Sequence, residues 1–283
     1  SNWIKSTLIS QYSPATCNRV LELACGMGGD LNKWKERRVS TYVGVDITRA
    51  SLEEAARRVC GMNGRSGASP LNAKFVEADL GSTHLWDSNA FDKSEVFDVI
   101  SIQFALHYMF ETESTALTFF RNIADRLVLG GRFLGTLADA DVIVRRIRNL
   151  PDDVHSFGNS LFKCEVCACA CVCFDLASRR RQWCLGSNPF GCAYQFTLVE
   201  AVGSLTEYLV PFKLLETLAG RVGLRLVCSD NFHAFYKNHV SNPSLDALQR
   251  RHKVFDYQGG ISPDVWEVAG FYRVFAFEKV RDE

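Results

Sequence analysis

A glycine-rich segment followed by two spaced acidic residues has the composition of a nucleotide site. Leu23 to Asp30 reads LACGMGGD, and glycine lets the backbone approach a ligand closely. Asp46 and Asp79 follow, each at the end of a predicted strand. Two acids at successive strand ends could bond ribose hydroxyls and an adenine amine. The pattern predicts a nucleoside site, although tight turns and helix-capping acids would look similar.

A second group of polar and aromatic side chains leaves the fourth predicted strand together. Gln103, Phe104, His107 and Tyr108 fall within six residues of one another. Aromatic faces, an amide and an imidazole suit a flat polar substrate such as a base. A lone histidine or tyrosine is more often a core or surface residue, but four at one strand exit favour a binding site. A dehydrogenase, which could share the glycine loop, would not require this group.

Alternating strands and helices position these residues. β-rich runs alternate with helical stretches over residues 19–148, and this alternation is typical of an open, mostly parallel α/β sheet. The predicted strands are Arg19–Ala24, Thr41–Val45, Ala73–Ala78, Val96–Ile102 and Arg132–Leu137. Ser51 to Glu54 reads as the capping box of one helix, and Thr118–Leu129 as another helix that stops at Gly130.

The flanking segments complete one domain, residues 1–283. The patterns predict helices over Asn2–Tyr12, Asp139–Asn149 and Pro211–Gly223, and later strands over Leu224–Ser229 and Gly270–Lys279. The regular alternation fails between about residues 150 and 200. We therefore expect a lid or subdomain inserted there.

Composition excludes several classes of protein. Of 283 residues, 47% are hydrophobic and 23% charged, the mixture of a folded globular chain rather than of a disordered or fibrous one. Its 32 basic residues balance 32 acidic ones, which argues against a protein that wraps long nucleic acid. With no long uncharged apolar run and no signal-peptide pattern, we expect no membrane partner.

The cysteines are an open question. Five of the 11 cysteines crowd between Cys164 and Cys173. A zinc site needs ligand pairs at matched spacing, and only one clear C-x-x-C is present, with Cys184 and Cys192 as distant candidates. An alternating strand with cysteines on one face explains the cluster more simply. We expect no metal, and zinc stays the alternative.

Motifs along nearly the whole chain resemble the S-adenosylmethionine-dependent mRNA cap guanine-N7 methyltransferases. The resemblance implies a Rossmann-like class I methyltransferase fold, with a mostly parallel seven-stranded sheet, an antiparallel last strand and an inserted lid. It rests on NWIKS from Asn2, LELACG from Leu21 with GGDL from Gly28, VGVDI from Val43, FDVISIQF from Phe97 with His107-Tyr108, FGC from Phe190, TEY from Thr206, and Tyr272 with FAFEK from Phe275.

The resemblance also implies which residues hold S-adenosylmethionine. Asp46 would take the ribose hydroxyls, Asp79 the adenine side, and Lys5 the methionine carboxylate through a charge-assisted bond. The full implied set is Lys5, Ala24, Gly26, Asp46, Asp79, Gln103 and Tyr108.

A further implied set surrounds the 5′ guanosine cap of mRNA. Glu207 would accept from guanine N1 and N2, while Lys33 and Arg58 would face the triphosphate. Without the resemblance, these two cations would more often be solvated helix faces. The full implied set is Asn2, Lys33, Arg58, Phe104, His107, Tyr108, Glu207 and Tyr272.

One position departs from the family pattern. Met27 stands in the glycine loop where many members carry a lysine near the cap phosphates. We expect weaker triphosphate binding, or a load shifted to Lys33, Arg58 or the Arg179–Arg181 run.

The implied chemistry needs orientation rather than proton removal. Guanine N7 carries a free lone pair, so a general base is unnecessary. We therefore expect His107, Glu207 and Tyr272 to position the guanine, with no acid or base catalyst. The resemblance further implies a nuclear enzyme; a linked or associated guanylyltransferase is an additional expected partner, and we expect a monomer.

Three alternatives stay open on the sequence alone. A small-molecule methyltransferase would keep Asp46 and Asp79 without needing the cap set. A non-catalytic cap-binding module, with or without a zinc-bound lid, would not need every cofactor position. A dehydrogenase would bind a nicotinamide dinucleotide instead.

Overall fold

The described part of the chain forms one large sheet, one smaller sheet and a separate pair of strands. The computed structural model describes residues 1–64, 70–151, 154–166, 172–175, 180–183, 188–198, 205–252 and 260–281. The strands in these ranges are β1 (Arg19–Leu23), β2 (Thr41–Asp46), β3 (Asn72–Glu77), β4 (Phe97–Gln103), β5 (Leu127–Ala138), β6 (Ser156–Gly158), β7 (Phe162–Val166), β8 (Val172–Asp175), β9 (Arg180–Trp183), β10 (Ala193–Leu198), β11 (Leu205–Tyr208), β12 (Leu224–Asn231) and β13 (Tyr272–Lys279).

Helices connect these strands. The α-helices are α1 (Asn2–Tyr12), α2 (Leu31–Glu36), α3 (Arg49–Asn63), α4 (Glu113–Ala124), α5 (Ala140–Arg148), α6 (Phe212–Arg221), α7 (Phe232–His239), α8 (Asp246–Arg251) and α9 (Pro263–Ala269). Short 3₁₀ helices span Leu85–Asp87, Leu106–Phe110 and Pro243–Leu245.

The large sheet has seven strands in the order β12-β13-β5-β4-β1-β2-β3. Strands β1 to β5 are parallel, and β13 runs antiparallel to both β5 and β12. The predicted mostly parallel sheet with an antiparallel last strand is confirmed. Because the parallel strands share one direction, their carboxyl ends meet at one edge, where such sheets bind ligands.

Alternating apolar residues along the strands supply both faces of this sheet. In β13, Phe275 and Phe277 pack with helices α4 and α6, whereas Val274 and Ala276 pack with α1, α2 and α7 on the other face. This period of two is what a strand buried on both sides requires. The sheet is therefore a rigid layer between helices.

The smaller sheet is antiparallel, in the order β11-β10-β7-β6. Its apolar side packs against α5 and Phe271, just before β13, in a third core that includes Phe162 and Tyr194. Strands β8 and β9 pair with each other. Much of the cysteine cluster, including Cys167, Cys169 and Cys171, lies outside the described residues.

The predicted end of the helix after residue 118 is wrong. Helix α4 ends at Ala124, and β5 already begins at Leu127. Gly130 has φ 76°, and a Cβ on Gly131 would lie 3.0 Å from the backbone oxygen of Asp98 in β4. These glycines serve an irregular pairing of β4 with β5, whose register shifts there, rather than a helix terminus.

The predicted capping box is also wrong. Helix α3 begins at Arg49, with Thr48 as N-cap and no side-chain cap bond. The Thr48 N–H instead donates to Asp46 Oδ1 at 2.9 Å. The chain therefore turns from β2 into the helix earlier than Ser51.

Candidate active site

The loop after β1 adopts left-handed backbone conformations at several residues. Ala24, Gly26 and Gly28 have φ of 52°, 51° and 73°. For alanine this region is strained, and such strain concentrates at functional sites. A Cβ on Gly26 would meet nothing within 4 Å, so this side of the loop is open to a ligand.

Asp46 fixes this loop from the end of β2. Its Oδ2 accepts from the Gly26 N–H at 2.8 Å, and its Oδ1 accepts from Thr48. Each carboxylate oxygen has two lone pairs, so both keep capacity for a ligand. The aspartate can thus hold the loop and bond a ribose at once.

Asp79 lies just beyond β3, the strand next to β2. Its carboxylate accepts from the Gly81 N–H at 2.9 Å and from the Ser82 hydroxyl at 2.8 Å. These bonds close a turn, which is a structural role that needs no ligand. They also place a second acid on the strand end beside Asp46.

Two lysines share one buried carboxylate at the other side of the loop. Lys5 Nζ lies 2.7 Å from Asp30 Oδ1, and Lys33 Nζ lies 2.7 Å from the same atom. Lys33 also donates to Asn2 Oδ1 at 3.2 Å. Burial alone would raise the pKa of Asp30, but Lys5 and Lys33 outweigh it and lower this pKa. Two ammonium groups against one carboxylate leave a net positive charge for an anion.

Glu22 is a buried acid that the sequence analysis did not single out. It lies in β1, 2% exposed, and accepts from the Tyr42 hydroxyl at 2.5 Å. Burial raises its pKa, and Asp30 raises it further. An acid within the otherwise apolar run of β1 is the signal that could have found it, because such a residue needs a partner.

The end of β4 brings the amide and an aromatic ring to the same edge. Gln103 accepts from Thr136 Oγ1 at 3.1 Å and donates to Ser101 Oγ at 2.9 Å, which fixes its rotamer. Phe104 has φ 57°. Its ring lies 4.9 Å, centroid to centroid, from that of Tyr272.

Tyr272 reaches this edge because β13 is antiparallel. It pairs with Ala138, the last residue of β5, and its ring also contacts Phe196 of the smaller sheet at 6.1 Å. Burial raises the pKa of its hydroxyl, and Glu207 adds to that rise. The tyrosine is therefore a neutral donor at the junction of the two sheets.

His107 and Glu207 face each other across the same junction. His107 Nε2 lies 3.6 Å from Glu207 Oε1, too far for a hydrogen bond. Both ring nitrogens of His107 are buried without a hydrogen-bond partner among the described residues. Burial lowers the pKa of His107 to about 3 and raises that of Glu207 to about 7. Unsatisfied buried polar atoms are rare, so these two nitrogens are candidates to bond a polar ligand.

Tyr108 lies beside His107, with the ring centroids 4.2 Å apart. Burial raises the pKa of its hydroxyl, and Glu207 contributes. Gln103, Phe104, His107, Tyr108, Glu207 and Tyr272 thus lie on elements that meet at one junction.

The other residues considered for the cap triphosphate are Arg58, Met27 and the Arg179–Arg181 run. Arg58 lies on the exposed side of α3, and its Nε pairs with Glu54 Oε1 at 3.2 Å. Met27 is 54% exposed on the glycine loop. Arg179 and the side chains of Arg180 and Arg181 lie outside the described residues.

Comparison with known proteins identifies the family. A family model described as the mRNA (guanine-N(7))-methyltransferase domain matches residues 1–280. The chain belongs to this family. It is 36% identical to mRNA cap guanine-N(7) methyltransferase 1 of Oryza sativa subsp. japonica, with 99% of the chain and 73% of the relative covered. It is 33% identical to the Schizosaccharomyces pombe and Saccharomyces cerevisiae cap methyltransferases, over 99% of the chain and 74% and 63% of those proteins.

Solved structures agree with this cap methyltransferase assignment at the level of fold. A methyltransferase from Clostridium acetobutylicum matches with a TM-score of 0.55 and 11% identity, covering 98% of the chain and 90% of that structure. The glycopeptide N-methyltransferase MtfA, solved with S-adenosylmethionine, matches with a TM-score of 0.51 and 12% identity over 98% and 94%. The predicted class I methyltransferase fold is confirmed.

Family membership makes the chain an S-adenosylmethionine-dependent mRNA cap guanine-N7 methyltransferase, as the sequence motifs predicted. In the part of the chain that the structure describes, no helix has the length and apolar character needed to span a membrane. Nor do the described residues contain a cluster of three or more potential metal ligands. The individual residue roles stay predictions.

Proposed function

We propose that this methyltransferase binds cofactor and cap side by side at the carboxyl edge of the large sheet and transfers the methyl group without a general base. The observation that carries the proposal is the meeting of three groups there: the strained glycine loop held by Asp46, the Lys5–Asp30–Lys33 network, and the buried pair of His107 and Glu207.

The residues present fit S-adenosylmethionine. The open side of Gly26 admits a ligand beside Asp46, whose oxygens can take ribose hydroxyls. Lys5 is placed for a carboxylate, because Asp30 balances only one of the two lysines. When bound, the cofactor supplies a methyl group already activated on a sulfonium. The chain itself needs to hold the cofactor, through Asp46, Asp79, Lys5 and the backbone of Ala24 to Gly26.

The side chains at the sheet junction suit a guanine. Glu207 would accept from N1–H and the 2-amino group, the edge that distinguishes guanine from adenine. His107 is neutral, since burial lowers its pKa to about 3, and it can bond a neutral base. Phe104 and Tyr272 supply aromatic faces, and Lys33 with Asn2 lies toward the triphosphate.

Orientation and electrostatics then account for the reaction. Guanine N7 has no proton to lose, so the chain must align N7 with the methyl carbon, and alignment can supply on the order of 7 to 11 kcal/mol. Positive charge develops on the purine during transfer, and an ionised Glu207 would stabilise it. A neutral His107 adds no opposing charge.

We extend the proposal to the domain and its setting. The insertion expected at about residues 150–200 acts as a lid together with β11, which follows it. The smaller sheet that they form brings Glu207 close to His107 at the edge of the large sheet. The enzyme works as a monomer in the nucleus. Its substrates are transcripts that a linked or associated guanylyltransferase has capped with guanosine. Size measurement in solution and imaging of the tagged full-length protein test these two points.

The deciding experiment measures transfer of labelled methyl from S-adenosylmethionine to short RNAs. The substrates are guanosine-capped RNA, uncapped triphosphate RNA and RNA with an N7-methylated cap. Labelling of the unmethylated cap alone would support the proposal. Cofactor binding without labelling of any cap would overturn it in favour of a small-molecule substrate or a non-catalytic module.

A further inference from the structure

One buried tyrosine contacts the guanine-reading acid and has no role in the function described so far. Tyr194 is fully buried in β10. Its hydroxyl donates to Glu207 Oε2 at 2.5 Å. The two residues are direct cross-strand partners in the β10–β11 pairing. Backbone register therefore sets this contact, and it needs no ligand to form.

The two carboxylate oxygens of Glu207 have different surroundings. Oε2 accepts from Tyr194, whereas Oε1 lies 3.6 Å from His107 Nε2, which has no hydrogen-bond partner among the described residues. The other titratable groups that act on this carboxylate are the hydroxyls of Tyr108 and Tyr272, both neutral because their pKa values are raised. Within the described residues, Glu207 has no cationic partner. A buried carboxylate needs donors to stay ionised.

We propose that Tyr194 is a positioning residue for cap recognition. Its hydroxyl anchors Glu207 Oε2, so that the carboxylate stays ionised and presents one edge to N1–H and the 2-amino group of guanine. Tyr194 touches neither cap nor cofactor in this arrangement, and it acts only through Glu207. The inference rests on the proposed role of Glu207 as the guanine reader.

The effect on the charge of Glu207 follows from the same contact. The bond from Tyr194 lowers the pKa of Glu207 against the larger rise caused by burial. Without the hydroxyl, this pKa would climb further, and more of the free enzyme would carry a protonated acid. A protonated Glu207 loses one acceptor site and therefore pairs poorly with two guanine donors.

The test is Tyr194→Phe, which removes the hydroxyl and keeps the ring. We expect the KM for capped RNA to rise about tenfold, the size of effect that loss of a hydrogen bond to a charged group produces, while kcat and S-adenosylhomocysteine affinity stay within about twofold. The preference for a guanosine cap over an inosine cap, which lacks the 2-amino group, should shrink. The acid limb of kcat/KM should move to higher pH.

Two controls distinguish loss of the Tyr194 hydrogen bond from loss of the folded structure. Tyr12→Phe, at the end of α1, removes a hydroxyl that bonds Cys228 of β12. This variant should leave the KM, the cap preference and the pH profile unchanged. Thermal unfolding and S-adenosylhomocysteine binding show whether Tyr194→Phe is folded. If that variant is unfolded, Tyr194→Trp and Tyr194→His are compared for rescue of the cap preference by a side chain that can donate.

Glu207→Gln distinguishes failure of the inference from failure of the proposed function. If Glu207→Gln raises the cap KM and lowers the preference over inosine while folded Tyr194→Phe behaves as wild type, Tyr194 has no positioning role. If Glu207→Gln itself changes neither quantity, Glu207 does not read guanine, and the proposed function of this pocket is wrong.

Discussion

If Glu207 reads guanine as proposed, its charge sets the pH range in which the enzyme can bind the cap. Its pKa is raised by burial to about 7, far above that of an exposed glutamate. The ionised form, which is proposed to accept from guanine, is therefore fully present above this pKa and is lost as pH falls through it. His107 stays neutral over the same range, because burial lowers its pKa to about 3.

We expect kcat/KM for capped RNA to fall about tenfold per pH unit below the pKa of Glu207, since the free enzyme must first lose a proton. Steady-state kinetics between pH 5.5 and 8.5 measure this limb. Glu207→Gln should have a lower kcat/KM and no such limb. An identical limb in that variant would assign the titration to another group.

Met27 gives a second prediction for a single side chain. Because it is 54% exposed, Met27→Lys can add a cation to the loop without disturbing the core. We expect the KM for capped RNA to fall roughly fivefold at low salt, about 1 kcal/mol, and the gain to shrink as salt screens it. Met27→Leu is the neutral control. No gain in cap affinity at any salt concentration would refute the idea that the loop lacks a phosphate contact.

Residue types at strand ends were predictable, but their partners were not. The sequence placed Asp46, Gln103 and His107 at exits of parallel strands, and parallel strands share one edge. The contacts of Tyr194 with Glu207 and of Glu22 with Tyr42 were not predicted, because they depend on strand register. Register is set by the packing of whole strands, and one sequence does not reveal it.

At the scale of elements, the loop from β1 into α2 depends on one glycine more than on its neighbour. Gly28 has φ 73°, and a Cβ there would lie 2.4 Å from Leu31 Cδ1. Gly29 has open space at the same position. The loop is thus closely packed at Gly28 and has free space at Gly29.

Gly28→Ala should lower the free energy of unfolding by roughly 1–3 kcal/mol, through backbone strain and the clash, and weaken S-adenosylhomocysteine binding. Gly29→Ala is the matched control, with an expected change within about 0.5 kcal/mol. Chemical denaturation and calorimetric titration measure both. Equal stability of the two variants would mean that the loop tolerates a side chain at either position.

The beginning of β5 shows why element boundaries were harder than element types. Glycine pairs after a helical pattern usually mark a helix end, and the sequence of Gly130-Gly131 fits that rule. The pairing partner β4 is distant in sequence, and the close approach of Gly131 to Asp98 appears only in three dimensions. The strand itself was predicted correctly from Arg132 onward.

At the scale of the whole molecule, the cofactor site should bring together the first helix, the glycine loop and two strand ends. A ligand that binds only the folded state stabilises it by about 2.7 kcal/mol at 100 times its Kd. We expect S-adenosylhomocysteine to raise the midpoint of thermal unfolding by roughly 5 to 10 °C. A nicotinamide dinucleotide should not.

Asp46→Asn is the matched variant for this measurement. It should reduce the shift, because the amide accepts fewer hydrogen bonds than the carboxylate. A larger shift with the dinucleotide than with S-adenosylhomocysteine would contradict the cofactor assignment.

The position of β13 has a consequence for how the enzyme folds during its synthesis. Tyr272–Lys279 inserts between β5 and β12 and carries Tyr272, one of the residues proposed to bind the cap. If Tyr272 binds the cap as proposed, a nascent chain on the ribosome cannot recognise a cap until these residues have emerged. Until then the facing sides of β5 and β12 lack their central partner, and unpaired strand edges invite aggregation. Synthesis halted before residue 272 should thus yield an inactive, aggregation-prone product rather than a weak enzyme.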